Sequence, residues 1–310
     1  MQQFKFYIFL VLKGMAMGAA NVIPGVSGGT IALITEIFER LINAIKSFDL
    51  KAIKLIFKGK FAEFARYTDL YFLLSIATGI VIAIVSLARL FDFLFREYPV
   101  YIWAFFFGLV LASVYFVGKR ITKVNTAVVV TFIIGTAIAI MISFMSKGQE
   151  SDNFFYLVIC GVAAICSMIL PGLSGSFILF IMGNYRLVAI DAINDRDFGI
   201  LLPVLIGAAV GLVAFAHILS WVFNRFRDET ISILTGFILG SVSILWPWQR
   251  AEYLNDAAGN VIIKDGEKVI THYARYLPEN LGTEFWIAIA CIILGIISIW
   301  ATEKLAKNKA

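Results

Sequence analysis

Apolar runs about as long as a bilayer is thick recur along this chain, and they restrict its fold more than any other feature of the sequence. Of the 310 residues, 60% are hydrophobic and only 15% are charged, and the mean hydropathy is +0.88. The runs are continuous rather than alternating, which favours helices over a β-barrel. The sequence therefore predicts an all-α polytopic membrane protein. Full spans are expected at residues 70–91, 101–117, 126–144, 200–223, 231–246 and 285–300.

A short turn motif, Pro-Gly-x-Ser-Gly, occurs twice between apolar runs, at residues 24–28 and 171–175. Proline stops the incoming helix, glycine permits unusual backbone angles, and Ser27 and Ser174 are suited to capping a new helix. Irregular backbone inside a membrane needs a cover of protein or a water-filled cavity. We therefore expect two helix pairs, each broken by one turn. A re-entrant path is favoured over a short spanning pair, because the two turns would then meet near the midplane. The arms of the pairs are predicted at residues 4–22, 31–45, 154–170 and 177–190.

The two turns belong to a longer internal repeat. The motif residues match at a constant offset of 147 positions (171 − 24), and Gly79 and Gly108 match Gly207 and Gly236 at an offset of 128 (236 − 108). Each half thus consists of one broken helix pair and three spans. The pair adds an even number of membrane crossings and the spans add three, so the total is odd and the second half begins on the opposite side of the membrane. The halves, residues 1–145 and 146–310, are therefore predicted to be inverted repeats, a layout of many secondary transporters.

The basic residues lie mostly in the short loops between the spans, and they are more numerous on the side that holds both ends of the chain. This pattern predicts cytoplasmic termini in a cytoplasmic membrane rather than nucleic-acid binding. The first apolar segment is interrupted by Lys13 and is expected to stay in the fold rather than act as a signal peptide. Three scattered cysteines and two histidines have no metal-like spacing, so no metal or cofactor is expected.

A helix start carries free backbone N–H groups and the positive end of the helix dipole, which together favour anions. Two such starts that meet in the membrane predict a binding site for a phosphate group, to which serine and threonine hydroxyls add donors. The alternative is that the turns only break helices and that their glycines allow close packing. The predicted phosphate-binding residues are Gly25, Ser27, Gly28, Gly29, Thr30, Gly172, Ser174, Gly175 and Ser176.

Polar and ionisable residues inside the membrane are further candidates, because such groups are costly there and usually face a cavity. Those predicted to contact a headgroup or to couple transport to protons are Asn21, Glu36, Arg40, Arg89, Asn184, Arg186 and His217. Each has an alternative interpretation. Glu36 and Arg40 are four residues apart on one predicted helix and would pair with each other, whereas an arginine near a span end would reach the interface instead. The coupling ion and the oligomeric state are left open.

Two segments lie outside the predicted spans. Residues 46–69 interleave lysines with apolar side chains at helical spacing, which fits either a helix on an anionic membrane surface or a solvated basic loop. Residues 247–283 form the one long polar insertion, and the Asp-Gly pair within 261–270 predicts a small β-hairpin there.

With its flanks, the doubled motif resembles that of the polyprenyl-phosphate transporter family, which includes the undecaprenyl-phosphate translocases. The matching stretches are Gly-Ala-Ala-Asn-Val-Ile-Pro-Gly-Val-Ser-Gly-Gly-Thr at 18–30, Leu-Pro-Gly-Leu-Ser-Gly-Ser at 170–176 and Gly-Asn-Tyr at 183–185. The resemblance covers essentially the whole chain. It implies that the protein returns the lipid carrier phosphate from the outer to the inner leaflet, so that precursors of the cell wall and surface glycans can be loaded again.

Two other functions compete with this one. A transporter of a soluble anion or small solute would use the same helix starts. An enzyme that processes lipid phosphates is less favoured, because it needs a nucleophile, an acid–base pair or a metal cluster that the sequence does not display. We therefore expect a non-enzymatic transporter whose partners are the bilayer and a polyprenyl phosphate.

Overall fold

The computed structural model describes residues 2–22, 27–145, 148–253, 263–264, 267–268, 270–278 and 281–307. Within these ranges, six helices are long and apolar enough to cross a membrane. They lie where the hydropathy of the sequence predicts spans, so this part of the prediction is confirmed. The membrane-length segments are Leu70–Leu87, Pro99–Gly118, Thr126–Ser143, Phe198–Arg225, Arg227–Leu245 and Thr283–Ala301.

The described residues of the first half form eight helices. Their bounds are α1 Gln2–Val22, α2 Gly28–Ile34, α3 Phe38–Lys46, α4 Leu50–Phe57, α5 Phe61–Tyr67, α6 Leu70–Glu97, α7 Pro99–Gly118 and α8 Thr126–Ser143. Residues 46–69, predicted to be either one surface helix or a loop, form the end of α3 and the two short helices α4 and α5.

The part of the second half that the structure describes forms six α-helices and a small β-region. The helices are α9 Phe154–Ile169, α10 Gly175–Ile181, α11 Ala192–Asn194, α12 Phe198–Arg225, α13 Arg227–Ser241 and α14 Thr283–Lys307. A π-helical turn at Leu187–Asp191 leads into α11, and a 3-10 turn at Val242–Leu245 extends α13.

The polar insertion contains two antiparallel strand pairs. The pairing of β2, Ile263–Lys264, with β3, Glu267–Lys268, confirms the small hairpin that the sequence predicts. A longer pairing of β1, Gln249–Tyr253, with β4, Ile270–Arg275, was not predicted. It joins segments about twenty residues apart that carry no alternating apolar pattern.

Corresponding helices of the two halves make corresponding contacts. Helix α1 packs along α6 as α9 packs along α12, and α7 packs along α14 as α13 packs along α8. Glycines allow the close approach: a Cβ on Gly79 would lie 2.1 Å from the carbonyl oxygen of Val11, and a Cβ on the matching Gly207 would lie 2.0 Å from that of Val158. The packing therefore repeats with the sequence.

The second arm of each helix pair is shorter than predicted. Helices α2 and α10 have seven residues each, about 10 Å, whereas the sequence predicted continuous arms over 31–45 and 177–190. Each ends just before a residue with left-handed backbone, Glu36 (φ 61°) and Gly183 (φ 84°), which stops a helix. These two residues match at the offset of 147. Neither α2 nor α10 is long enough to cross a bilayer core of about 30 Å.

Candidate functional site

Described residues of each Pro-Gly-x-Ser-Gly motif contact residues that flank the other motif. The Ser27 hydroxyl donates to the backbone oxygen of Met168 at 3.1 Å, and the backbone N–H of Gly172 donates to Oγ1 of Thr30 at 3.1 Å. Ser27 and Thr30 are almost completely buried. A Cβ on Gly29 would lie 2.5 Å from the backbone oxygen of Ile169, so only glycine fits at this contact. Residues 141 and 142 positions apart in the chain thus form one polar centre.

The first helix start satisfies its own N–H groups. The side chain of Ser27 accepts from the Gly29 N–H at 3.1 Å, which confirms the predicted N-cap. The Gly28 N–H donates to Oδ1 of Asn21 at 2.7 Å, and the Thr30 N–H donates to the backbone oxygen of Ser27 at 2.9 Å. We expected these N–H groups to point at an anion, whereas the structure gives them acceptors within the chain.

The second helix start is arranged differently. Ser174 occupies the N-cap position of α10, but its side chain makes no capping hydrogen bond and lies 2.8 Å from the hydroxyl of Ser176. Met168 takes the place that Asn21 has in the first half (168 − 21 = 147), and a thioether is a poor acceptor for the N–H of Gly175. Ser176 is exposed and Ser174 is half-buried. The hydroxyls of the second start thus contact each other, whereas those of the first bind backbone groups in or next to the second turn.

Two cations bind the far end of α2. The Lys13 ammonium donates to the backbone oxygen of Thr35 at 2.8 Å, and the Arg120 guanidinium donates to that of Ile34 at 2.7 Å. Arg120 also forms a salt bridge with Glu36 at 3.1 Å. Positive groups are favoured at the C-terminal end of a helix, where the dipole is negative and carbonyl groups lack partners.

Neutral groups bind the corresponding end of α10. The backbone N–H of Gly148 donates to the oxygen of Ile181 at 2.6 Å, and the Tyr156 hydroxyl donates to the oxygen of Met182 at 2.6 Å. Ile181 and Met182 match Ile34 and Thr35 at the offset of 147. The two halves are thus geometrically alike at these ends but differ in charge. Arg120 was not among the predicted site residues. The sequence carried one signal for a cation site here. Glu36 aligns with Gly183, a residue type that often ends helices, and this alignment marks the end of α2, to which Arg120 binds.

The structure does not form the alternative pairing of Glu36 with Arg40, and a role of either residue in headgroup contact or proton coupling stays a prediction. The break in the helix at Glu36 turns the two side chains to different partners. Arg40 forms two hydrogen bonds with Asp69, at 2.6 and 3.0 Å, and its guanidinium lies 4.3 Å from the ring centroid of Phe72. Arg40 therefore joins α3 to the start of α6, while Glu36 contacts Arg120.

The remaining predicted residues near the second turn have partners within the chain. The fully buried Asn184 accepts from the backbone N–H of Ser151 at 2.9 Å and donates to its oxygen at 2.7 Å. Arg186 forms a salt bridge with Asp191 at 3.4 Å. The structure thus places Asn184 and Arg186 beyond the end of α10 and away from the contact between the turns. Their proposed part in steering an anion stays a prediction.

His217 is exposed on α12, and its Nδ1 lies 2.8 Å from the backbone oxygen of Val213. Its neighbours Ile218 and Trp221 are exposed on the same helix, so His217 lies on an apolar outer surface. Gly25 and the side chain of Arg89 lie outside the described residues.

Helix α3 connects the two halves. The ring centroids of Phe38 and Phe223 are 6.0 Å apart, the Ser220 hydroxyl donates to Asn43 at 2.9 Å, and Glu39 forms a salt bridge with Arg227 at 3.3 Å. These contacts lie on the face that the charge pattern assigns to the cytoplasm. They join α3, which follows α2 in the first half, to α12 and α13 of the second half.

Comparison with known proteins gives a family and named relatives. The model of a family described as undecaprenyl phosphate translocase-like matches residues 17–262. The chain is 40% identical over 244 residues to the polyprenyl-phosphate transporter of Vibrio cholerae serotype O1, covering 79% of each chain. It is 31% identical over 264 residues to the polyprenyl-phosphate transporter of Staphylococcus aureus, covering 80% of this chain and 88% of the relative. No solved structure matches the chain.

Proposed function

The chain belongs to the undecaprenyl phosphate translocase-like family, and from this premise we propose that it moves polyprenyl phosphate from the outer to the inner leaflet of the cytoplasmic membrane. The observation that carries the proposal for the site is the contact between the two turns, in which Ser27 binds Met168 and Thr30 binds Gly172. One polar centre is thereby built from both halves. A phosphate group held there would contact the part of the molecule where the halves meet.

We assign the phosphate contacts mainly to the second turn. The hydroxyls of Ser174 and Ser176 bind only each other among the described residues, and Ser176 is exposed. A phosphate oxygen can replace that mutual hydrogen bond and accept from both hydroxyls. Gly172 and Gly175 act indirectly, because their lack of a Cβ lets the second turn pack against the backbone oxygens of Phe237 and Ala164. Ser27, Gly28, Gly29 and Thr30 act indirectly, because their polar groups hold the turns in register.

The short helices support a re-entrant path. Helices α2 and α10 are each about 10 Å long, a third of the hydrocarbon core, so the turns that precede them would lie at depth rather than at the surface. The phosphate would then be bound inside the protein. The isoprenoid tail, which is as apolar as the lipid chains, would stay in the bilayer.

The repeated packing supports alternating access. If the halves are inverted, a rocking motion of one against the other would expose the central site first to one leaflet and then to the other. The charges at the helix ends support the direction. The end of α2, on the face that holds the termini, binds the cations Lys13 and Arg120. The corresponding end of α10, on the other face if the halves are inverted, binds the neutral groups of Gly148 and Tyr156. A phosphate leaving the centre toward the cytoplasm would approach two cations.

The experiment that tests the substrate is transport by purified protein in liposomes. Undecaprenyl phosphate is supplied in the outer leaflet, and its loss from that leaflet is measured with and without excess inorganic phosphate in the buffer. We expect the lipid to move, and we expect soluble phosphate to leave its rate unchanged. Uptake of inorganic phosphate with no movement of the lipid, in protein shown to be folded and supplied with an ion gradient, would favour a soluble-anion transporter instead.

A further inference from the structure

Helix α4 carries apolar side chains that the fold does not bury. Leu50, Ile53, Ile56 and Phe57 are 75%, 48%, 43% and 86% exposed. At 100° per residue they form one stripe of about 120° along the helix. Exposed apolar residues on a membrane span face lipid, but α4 has only eight residues and cannot be a span. Its apolar stripe therefore needs another apolar environment.

A stripe of lysines lies beside the apolar stripe. Lys51, Lys54 and Lys58 are all exposed, and they occupy the sector of the helix next to Leu50. The opposite sector is the packed one, because Ala52 is only 2% exposed. Apolar and basic stripes side by side are the arrangement of helices that lie in the interface of an anionic membrane.

The segment Asp49–Tyr67, which we call the α4–α5 hairpin, is held together as one unit. The Tyr67 hydroxyl donates to Oδ2 of Asp49 at 2.6 Å, and this hydrogen bond lowers the pKa of the Asp49 carboxyl below its ordinary value. Oδ1 of Asp49 accepts from the first N–H groups of α4. The rings of Phe48 and Phe64 meet edge to face, with centroids 6.0 Å apart. The exposed stripe thus belongs to a packed surface and not to a loose loop.

The chain path places this hairpin at the membrane surface. Helix α5 ends at Tyr67, and the membrane-length segment of α6 begins at Leu70. Only two residues separate them. Since α5 also packs against α6, the hairpin lies against the end of a span.

We propose that the α4–α5 hairpin binds the anionic phospholipids of the leaflet that it faces, with Phe57 and Leu50 inserted among the acyl chains and the lysines on the headgroups. The lysines supply the charge that an anionic surface complements, and each adds to the attraction. The hairpin is present only in the first half, so this contact exists on one face of the protein. The proposal does not depend on which substrate is transported.

The test uses the full chain in lipid nanodiscs, with an environment-sensitive fluorophore on a cysteine introduced as Phe57→Cys. Discs of phosphatidylcholine alone are compared with discs that also contain phosphatidylglycerol. We expect acyl-chain quenchers to quench this label and aqueous iodide to quench it severalfold less once phosphatidylglycerol is present. The control carries the same fluorophore at Glu63→Cys, an exposed position on α5 outside the apolar stripe. Its label should stay accessible to iodide in both lipids. The wild-type chain is treated with the same fluorophore, to measure how much label the native cysteines take up.

Charge is tested in the same discs by replacing Lys51, Lys54, Lys58 and Lys60 with glutamine. These side chains are exposed, so the fold should persist, and the response of the Phe57→Cys label to phosphatidylglycerol should disappear. A label at position 57 that stays fully accessible to iodide in both lipids would overturn the proposal and leave a protein partner as the occupant of the stripe. Insertion that is independent of phosphatidylglycerol would overturn the preference for anionic lipid.

Discussion

Glu36 and Gly183 occupy matching positions with the same left-handed backbone, yet their side chains differ. This conformation costs a residue with a Cβ about 1–2 kcal/mol, so glycine is the expected choice. In the second half a Cβ is also excluded by space, because it would lie 2.6 Å from the backbone oxygen of Gly148. In the first half the glutamate contacts Arg120, which binds the end of α2. The strained backbone is therefore kept where a charged side chain has a partner.

Replacing Gly183 with alanine should be among the most destabilising single changes at the helix ends. The new Cβ would add strain and would also meet the backbone of Gly148 and Gln149, which cannot move cheaply. Gly59→Ala is the matched control, because Gly59 has φ 68° but no atom within 4 Å of a Cβ. We expect Gly59→Ala to cost about 1 kcal/mol, from strain alone, and Gly183→Ala to cost at least twice as much. Apparent melting temperatures in detergent measure both, and equal losses would contradict the fit around Gly183.

At the scale of the element, the sequence predicted where helices begin better than where they end or what they contact. The Ser27 cap was predicted because capping is a local property of a serine after a Pro-Gly turn. The end of α2 was not, since a glutamate at position 36 does not mark a helix end as a glycine does. The alternative pairing of Arg40 with Glu36 rested on a continuous helix, whereas the partner in the structure is Asp69, 29 residues away.

Helix α3 should be the element that moves when the site opens to the cytoplasm. Helix α3 contacts α12 and α13 of the second half, and the proposed alternating access requires these contacts to separate. We predict that a cleavable cross-link between Glu39→Cys and Arg227→Cys stops lipid transport and that cleavage restores it. The two native side chains lie 3.3 Å apart and are exposed, so the introduced cysteines are accessible.

A cross-link within the α4–α5 hairpin serves as the control for this experiment. Lys60 and Glu63 form a salt bridge at 2.8 Å. Both lie in the first half of the molecule, so a link between cysteines at these positions does not connect the two halves. It should leave transport intact. Full transport by protein that is completely linked between positions 39 and 227 would rule out separation of α3 from α13.

At the scale of the whole molecule, the sequence predicted the six spans and the repeat of the packing, because hydropathy and equally spaced glycines are visible in one dimension. Gly79 and Gly207 are examples: each lies where two helices are so close that a Cβ would meet the backbone of the neighbouring helix. What the sequence did not predict is the difference between the halves. Asn21 and Met168 align, but only the structure assigns the N–H of Gly28 to the amide and pairs Ser174 with Ser176. The repeated residues determine the helix packing that the halves share, whereas residues that differ between the halves, such as Asn21 and Met168, give the two turns different hydrogen bonds.

The measurement that tests the account most directly is transport of undecaprenyl phosphate by the Ser174→Ala/Ser176→Ala variant. Ser75→Ala/Ser86→Ala is the matched control, since Ser75 is half-buried and Ser86 exposed on α6, and among the described residues both bind only the backbone of their own helix. Both variants should fold. Loss of two hydrogen bonds to a charged phosphate, each worth about 1.5–3 kcal/mol, predicts at least a roughly tenfold slower transport for the Ser174/Ser176 variant. The control should match the wild type. Equal rates for all three proteins would contradict the assignment of the phosphate to the second turn.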